Sequence, residues 1–141
     1  MMSNIIFDQI QYKASVVKEL YELLDSRKHR ISHKKLPSFE KHNEFVLNHP
    51  YRYWWIVRLE NKAIGSVYIT NENSIGINLT LEDISIHKEV ITKTINEFTP
   101  LPPIPSVRPE FFFVNTAPTN TSLIEALECL GCKESQKTYV L

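Results

Sequence analysis

Apolar and polar side chains alternate over residues 5–12, with Ile6, Asp8, Ile10 and Tyr12 set against Phe7, Gln9 and Gln11, and this period of two predicts a first strand. The period then lengthens. Val17, Leu20, Tyr21 and Leu24 fall at helical spacing behind Ser15, which can cap a helix running to about Ser26. Residues 25–36 are polar and basic and read as a loop. Pro37 and Ser38 open a second helix, whose Phe39, Phe45 and Val46 are expected to pack inward and which ends at His49-Pro50. Three runs rich in aromatic and β-branched residues follow, at 51–59, 63–70 and 75–81, with turns at Asn61-Lys62 and at 71–74. They predict an antiparallel meander. A helix over residues 83–98 aligns Ile84, Ile91, Ile95 and Phe98. Phe111, Phe112, Phe113 and Val114 make a short apolar run that reads as a buried strand, and residues 115–120 break it. Thr121 or Ser122 can then cap a helix striped by Leu123, Leu127 and Leu130 and stopped by Gly131, and residues 136–141 suit a last strand.

With 141 residues the chain is expected to fold as one domain over residues 1–141, large enough for a proper core. Lys plus Arg equals Asp plus Glu at 16 each, which argues against nucleic-acid binding through a basic surplus. The first residues lack a basic region followed by a long apolar core, and no apolar run approaches the ~20 residues that cross a bilayer. The expectation is a soluble cytoplasmic protein. Cys129 and Cys132 have redox-pair spacing but straddle a helix end rather than a helix start, so they read as buried, reduced structural thiols, and two ligands do not make a zinc site. No metal site is expected. Five of the eight prolines lie in residues 99–109, which read as a stiff surface connection.

The stretch from Phe111 to Lys133, an apolar strand followed by Asn-x-x-x-x-Asn-x-Ser and a short helix ending in Leu-Gly, resembles the C-terminal half of a GNAT-type N-acetyltransferase. The whole element order, strand, two helices, three-strand meander, helix, strand, helix, strand, is similar to that family's fold. Gly65 in Ala-Ile-Gly-Ser-Val-Tyr and Gly76 in Asn-Ser-Ile-Gly-Ile resemble its two glycine-bearing strands, and Gly131 takes the place of the Gly in Leu-Gly-Phe. The resemblance implies an α/β (α+β) GNAT fold with a mixed, mostly antiparallel central sheet and flanking helices. It implies an acyl-CoA-dependent N-acyltransferase, acetyl-CoA as co-substrate, and direct transfer to a small-molecule amine such as an amino sugar or its nucleotide.

By position, the resemblance assigns the pantetheine and thioester to backbone groups of Asn78, Leu79, Thr80 and Leu81, since an N–H aimed at a developing oxyanion stabilises it. The pyrophosphate would meet the start of the next helix, at Ser85, Ile86, His87 and Lys88. Here the family's glycines are absent and Glu82 and Asp83 stand instead, Asp83 being equally a plain N-cap. Asn115, Asn120 and Ser122 match positions that shape the cleft; as residues, the asparagines serve turns equally well. The family's thiolate-protonating tyrosine falls on Leu127, which leaves Tyr139 as the candidate acid. His33, Glu40 and His42 are the candidate bases, because a base must titrate near neutrality or hold a water. The basic cluster from Arg27 to Lys35 could grip an anionic acceptor or be a solvated loop. One face of the aromatic run Tyr51, Tyr53, Trp54 and Trp55 is core, and the other could line a cleft. An exposed sheet edge would be covered in a homodimer. The missing glycines and tyrosine also fit a GNAT-like scaffold without catalysis, serving as a ligand-binding or interaction module.

Overall fold

The computed structural model describes residues 4–27, 29 and 35–141. Its elements run β1 (Ile5–Gln9), α1 (Ala14–Asp25), α2 (Phe39–Asn48), β2 (Tyr53–Leu59), β3 (Lys62–Ile69), β4 (Ser74–Leu79), α3 (Ile84–Glu97), β5 (Phe113–Val114) and α4 (Thr121–Cys129). The five strands lie in sequence order in one sheet. β1 to β4 pair antiparallel, and β5 joins β4 parallel. A parallel partner needs a crossover, and α3 with the proline-rich segment supplies it.

Both faces of the sheet are buried. Trp55, Val57, Val67, Ile69, Ile75 and Ile77 pack on one side against Ile86, Val90 and Ile91 of α3 and Leu123 and Ala126 of α4. Trp54 and Ile56 pack on the other against Val17 and Leu20 of α1 and Val46 of α2, with Tyr51 and Tyr68 alongside. The aromatic run at 51–55 therefore divides between two core layers, and neither of its faces is an open cleft wall.

The expected elements form except the last strand, with corrections at their ends and faces. α1 starts at Ala14 with Lys13 in the cap position and no capping side chain, so Ser15 is not its cap. In α2, Ser38 accepts from the Lys41 N–H as a true cap, but only Val46 of the expected apolar trio is buried; Phe39 and Phe45 stay largely exposed. α3 turns a different face to the core from the one its isoleucines suggest. Ile84 and Ile95 are exposed, while His87 and Thr94 are buried. These two polar residues are admitted because each satisfies itself within the helix: the His87 Nδ1 lies 2.7 Å from Asp83 O, and the Thr94 hydroxyl donates to Val90 O at 2.8 Å. α4 is preceded by Asn120 without a side-chain cap, so neither Thr121 nor Ser122 fills that role. It ends with Gly131 at φ +86° and paired bonds from Gly131 N to Glu128 O and from Cys132 N to Leu127 O, the double closure that favours glycine. Leu130 is exposed rather than part of the buried stripe, and both thiols are free and exposed rather than buried. No strand forms over residues 136–141, which have no regular structure and are solvent-exposed.

The proline-rich segment is a tied strap. Buried Asn73, at φ +72°, donates from Nδ2 to Leu101 O and Pro109 O and accepts from Leu101 N. Arg108 donates to Pro102 O and Asn71 O, and Arg52 donates to Thr99 O. The strap thereby delivers Phe113, whose N–H bonds to Asn73 O at 3.1 Å, into register beside β4.

Candidate active site

β4 and β5 touch over two residue pairs only, Ser74↔Phe113 and Ile75↔Val114. Beyond Ile75 the strands part. Strand parity then fixes what faces the opening. Thr70 N bonds to Ser74 O, and Thr80 N bonds to Ile64 O at 2.7 Å, so the even-numbered residues of β4 spend their backbone groups on β3. The odd-numbered ones point theirs toward β5, as Asn73 O shows by accepting from Phe113. Ile77 and Leu79 therefore aim N–H and C=O into the opening, where no strand meets them. Of the four backbone positions expected from sequence, Leu79 is the one whose N–H and C=O point away from β3. Asn78 pairs with Ser66, and Thr80 commits both its N–H and its hydroxyl to Ile64 O. Leu81 lies past the end of the strand. Ile77 was not foreseen; strand parity is the signal that identifies it.

The unpaired stretch of β4 lies between two defined contacts. One is the Ile75–Val114 pair. The other, about 20 Å along the chain direction at ~3.3 Å per residue, lies at the start of α3, where side chains bridge β4 to α4. Glu82, just after β4, accepts from the Ser122 hydroxyl of α4 at 3.1 Å and meets His29 Nε2 at 3.0 Å. His29 Nδ1 lies 2.9 Å from the Thr119 hydroxyl. A ring nitrogen facing a carboxylate carries the proton, so Nε2 donates to Glu82, and in the neutral ring Nδ1 accepts from Thr119. Glu82, His29 and Thr119 were not singled out as site residues by sequence, since the contact joins three loops far apart in the chain.

At this same end, the first turn of α3 satisfies part of its own polarity. Asp83 Oδ1 accepts from Ile86 N at 3.0 Å, and His87 N bonds to Asp83 O. The His87 side chain is buried and engaged with Asp83 O. Ser85 and Lys88 keep exposed or half-exposed side chains beside the turn. Asn115 is exposed directly after the last β4–β5 pair, and Asn120 precedes α4 with its N–H on Ala117 O.

The remaining candidates scatter. His42 is buried between α1 and α2, its Nε2 donating to Val17 O at 3.0 Å; burial pushes its pKa down, and the carbonyl partner opposes that more weakly. Glu40 sits exposed in the first turn of α2. Tyr139 is 80% exposed and lies on no strand. His33 lies outside the described residues, as does most of the basic cluster; of that cluster Arg27, His29 and Lys35 are described. Among the described residues no group of three metal-ligating side chains gathers, and no helix is long and apolar enough to cross a membrane.

No family model and no curated protein matches the chain by sequence. Solved structures do match it in shape. A domain from Methanocaldococcus jannaschii DSM 2661 superposes with a TM-score of 0.66 at 20% identity, over 97% of this chain and 93% of that one. The aminoglycoside N-acetyltransferase AAC(6')-Iy, in complex with CoA, gives a TM-score of 0.61 at 13% identity over 100% and 95% of the two chains. A possible acetyltransferase from Clostridium difficile 630 gives 0.51 at 12% identity over 97% of each chain. With the sheet order, the parallel β5 and the parting of β4 from β5, these likenesses establish that the chain has a GNAT-like fold, in a strongly divergent form.

Proposed function

We propose that the protein is an acyl-CoA-dependent N-acyltransferase that moves an acetyl group from acetyl-CoA to the amine of a small molecule, both substrates being bound together. The observation that carries this is the end of β4–β5 pairing at Ile75, which leaves the backbone groups of Ile77 and Leu79 pointing away from β3 with no strand paired to them. A pantetheine arm offers amides of matching spacing and polarity to such an edge. The Leu79 N–H, held by the strand, is placed to polarise a thioester carbonyl, a contribution that rises as charge develops on the oxygen. The amine nitrogen then bonds to the carbonyl carbon, the carbon–sulfur bond breaks, the amine gives up a proton, and the sulfur takes one.

The residues fit the two parts of the donor unequally. The unpaired stretch of β4 suits the pantetheine arm. At the α3 end, Ser85 and Lys88 are the groups that would meet the diphosphate, while the Glu82 and Asp83 carboxylates oppose it. Asn115, Asn120 and Ser122 would border the arm from the β5 side, and the acceptor amine would enter from the α1–α2 face. A dimer covering the outer edge of β5 belongs to the same proposal.

The carboxylates at the α3 end favour a second reading, in which the fold binds another ligand or a protein and does no chemistry. Isothermal titration with acetyl-CoA, with CoA as control, separates the two. Micromolar binding supports acyl transfer; no heat and no thermal shift at millimolar ligand would remove it in favour of the scaffold.

A further inference from the structure

Thr119, His29 and Glu82 form a row of three. The Thr119 hydroxyl oxygen lies 2.9 Å from His29 Nδ1, and His29 Nε2 lies 3.0 Å from Glu82 Oε1. The other carboxylate oxygen of Glu82 accepts from the Ser122 hydroxyl at 3.1 Å, so both of its oxygens are held. Thr119 is exposed and open to a substrate, whereas the His29 side chain is only 20% exposed. A hydroxyl set on an imidazole whose far nitrogen is held by a carboxylate is the arrangement that activates a nucleophile. The imidazole removes the hydroxyl proton, and the carboxylate fixes the ring and steadies the imidazolium that results.

The backbone around Thr119 suits the same chemistry. α4 begins two residues later with no capping side chain, and its Thr121 N–H bonds back to Thr119 O. The Ser122 and Leu123 N–H groups follow in that first turn, have no carbonyl within the helix to meet, and are the donors offered to a developing oxyanion. Pro118 and Thr119 are both exposed on this turn, so the site favours small acyl groups with good leaving groups over large ones that need a deep pocket. The transfer described above uses neither Thr119 nor His29 and forms no acyl-protein bond.

We propose that Thr119 is the nucleophile of a second activity, hydrolysis of small, unhindered carboxylic esters and thioesters, with His29 as general base and acid and Glu82 as positioning residue. The bonds balance. Thr119 Oγ1 joins the carbonyl carbon as its proton passes to His29 Nδ1. The carbon–oxygen or carbon–sulfur bond of the substrate then breaks, and the leaving alcohol or thiol takes that proton. A water gives a proton to Nδ1 and attacks the acyl-threonine ester, Thr119 recovers its proton, and the carboxylic acid departs. Ester and water become acid and alcohol, with nothing else consumed.

The test uses p-nitrophenyl acetate with the full chain and contains no CoA, so its failure leaves the acetyl-CoA reading untouched. The wild type is expected to release p-nitrophenol in a burst stoichiometric with protein, and acid quenching should trap one acetyl group on the peptide that carries Thr119. Thr119→Ala should lose the burst and ~100-fold in kcat, and Thr119→Ser should keep both. His29→Gln should abolish the burst with the far-UV circular dichroism unchanged. Glu82→Gln should lower kcat ~10-fold at unchanged KM, which a residue that merely ties loops together would not do. Hydrolysis that survives in Thr119→Ala, acetyl groups found on other side chains alone, or no release by the wild type above buffer overturns the proposal. An unchanged kcat in Glu82→Gln overturns the role of Glu82.

Discussion

At the level of single residues, Glu82 sets a conflict. Its carboxylate holds Ser122 and His29 together beside the start of α3, where a diphosphate would bring negative charge. Like charges at the surface repel by about 1 kcal/mol. Glu82→Gln keeps the shape and one acceptor oxygen, so it should tighten CoA binding ~5-fold while leaving the melting temperature within a few degrees. A calorimetric titration checks this, and weaker binding would show that Glu82 assists the donor instead. Ser122 illustrates what sequence can and cannot say at this scale. Its position beside a helix start was legible, but its hydroxyl is turned away from the helix to a carboxylate forty residues earlier. The packing of Tyr68 on Gly76 was equally hidden: Gly76 was conspicuous in the sequence, whereas the ring that fills the space of its missing side chain is a tertiary contact.

Elements were more legible than their faces, because periodicity reports spacing and not which polar groups satisfy themselves. The self-bonded His87 and Thr94 put α3 about its axis in a way that no apolar count predicts. The last strand was misread for the opposite reason: residues 136–141 have suitable side chains, but a strand needs a partner, and here none is beside them. Two predictions belong to elements. Asn73→Ala deletes three hydrogen bonds, leaves Leu101 O and Pro109 O without their donor, and puts a Cβ residue without asparagine's local bonding in the left-handed region. It should cost about 3 kcal/mol in chemical denaturation and raise hydrogen exchange through the strap first. The second concerns α1 and α2. His42 has its folded pKa below its unfolded value of 6.5, and His49 shifts the same way through burial. The unfolded chain thus takes up protons first as pH falls. The stability that neutral His42 contributes is fully present above pH 6.5 and is lost as pH drops from there through the folded pKa. His42→Gln should flatten the acid side of the stability–pH curve, read by urea titrations at intervals from pH 8 down to about 4; an unchanged slope would mean that His42 is freely solvated.

For the whole molecule, the order of elements was legible because each pattern switch marks a strand or helix, and it was the likeness of that order to a known family's that pointed to the fold. The parting of β4 and β5 was not readable from residues, because it consists of backbone groups that lack partners. The exposed tail makes its own prediction. Residues 133–141 are solvent-exposed, so deleting them should change the unfolding free energy by less than about 0.5 kcal/mol at low protein concentration. A larger loss that grows with concentration would place the tail in contact between copies.

The strap that Asn73 ties down carries a mechanical consequence. β4 with α3 forms one arm and β5 with α4 the other, and the two are joined at Asn73 and Phe113 and fastened again at Glu82 and Ser122. That is the layout of tongs with a fulcrum and a clasp. A change at the buried asparagine would be felt at the clasp, because both arms are held at those two points. The gap would thus be governed from a point outside it, and a change that loosens the fulcrum would disturb every ligand held between the arms while touching none of them.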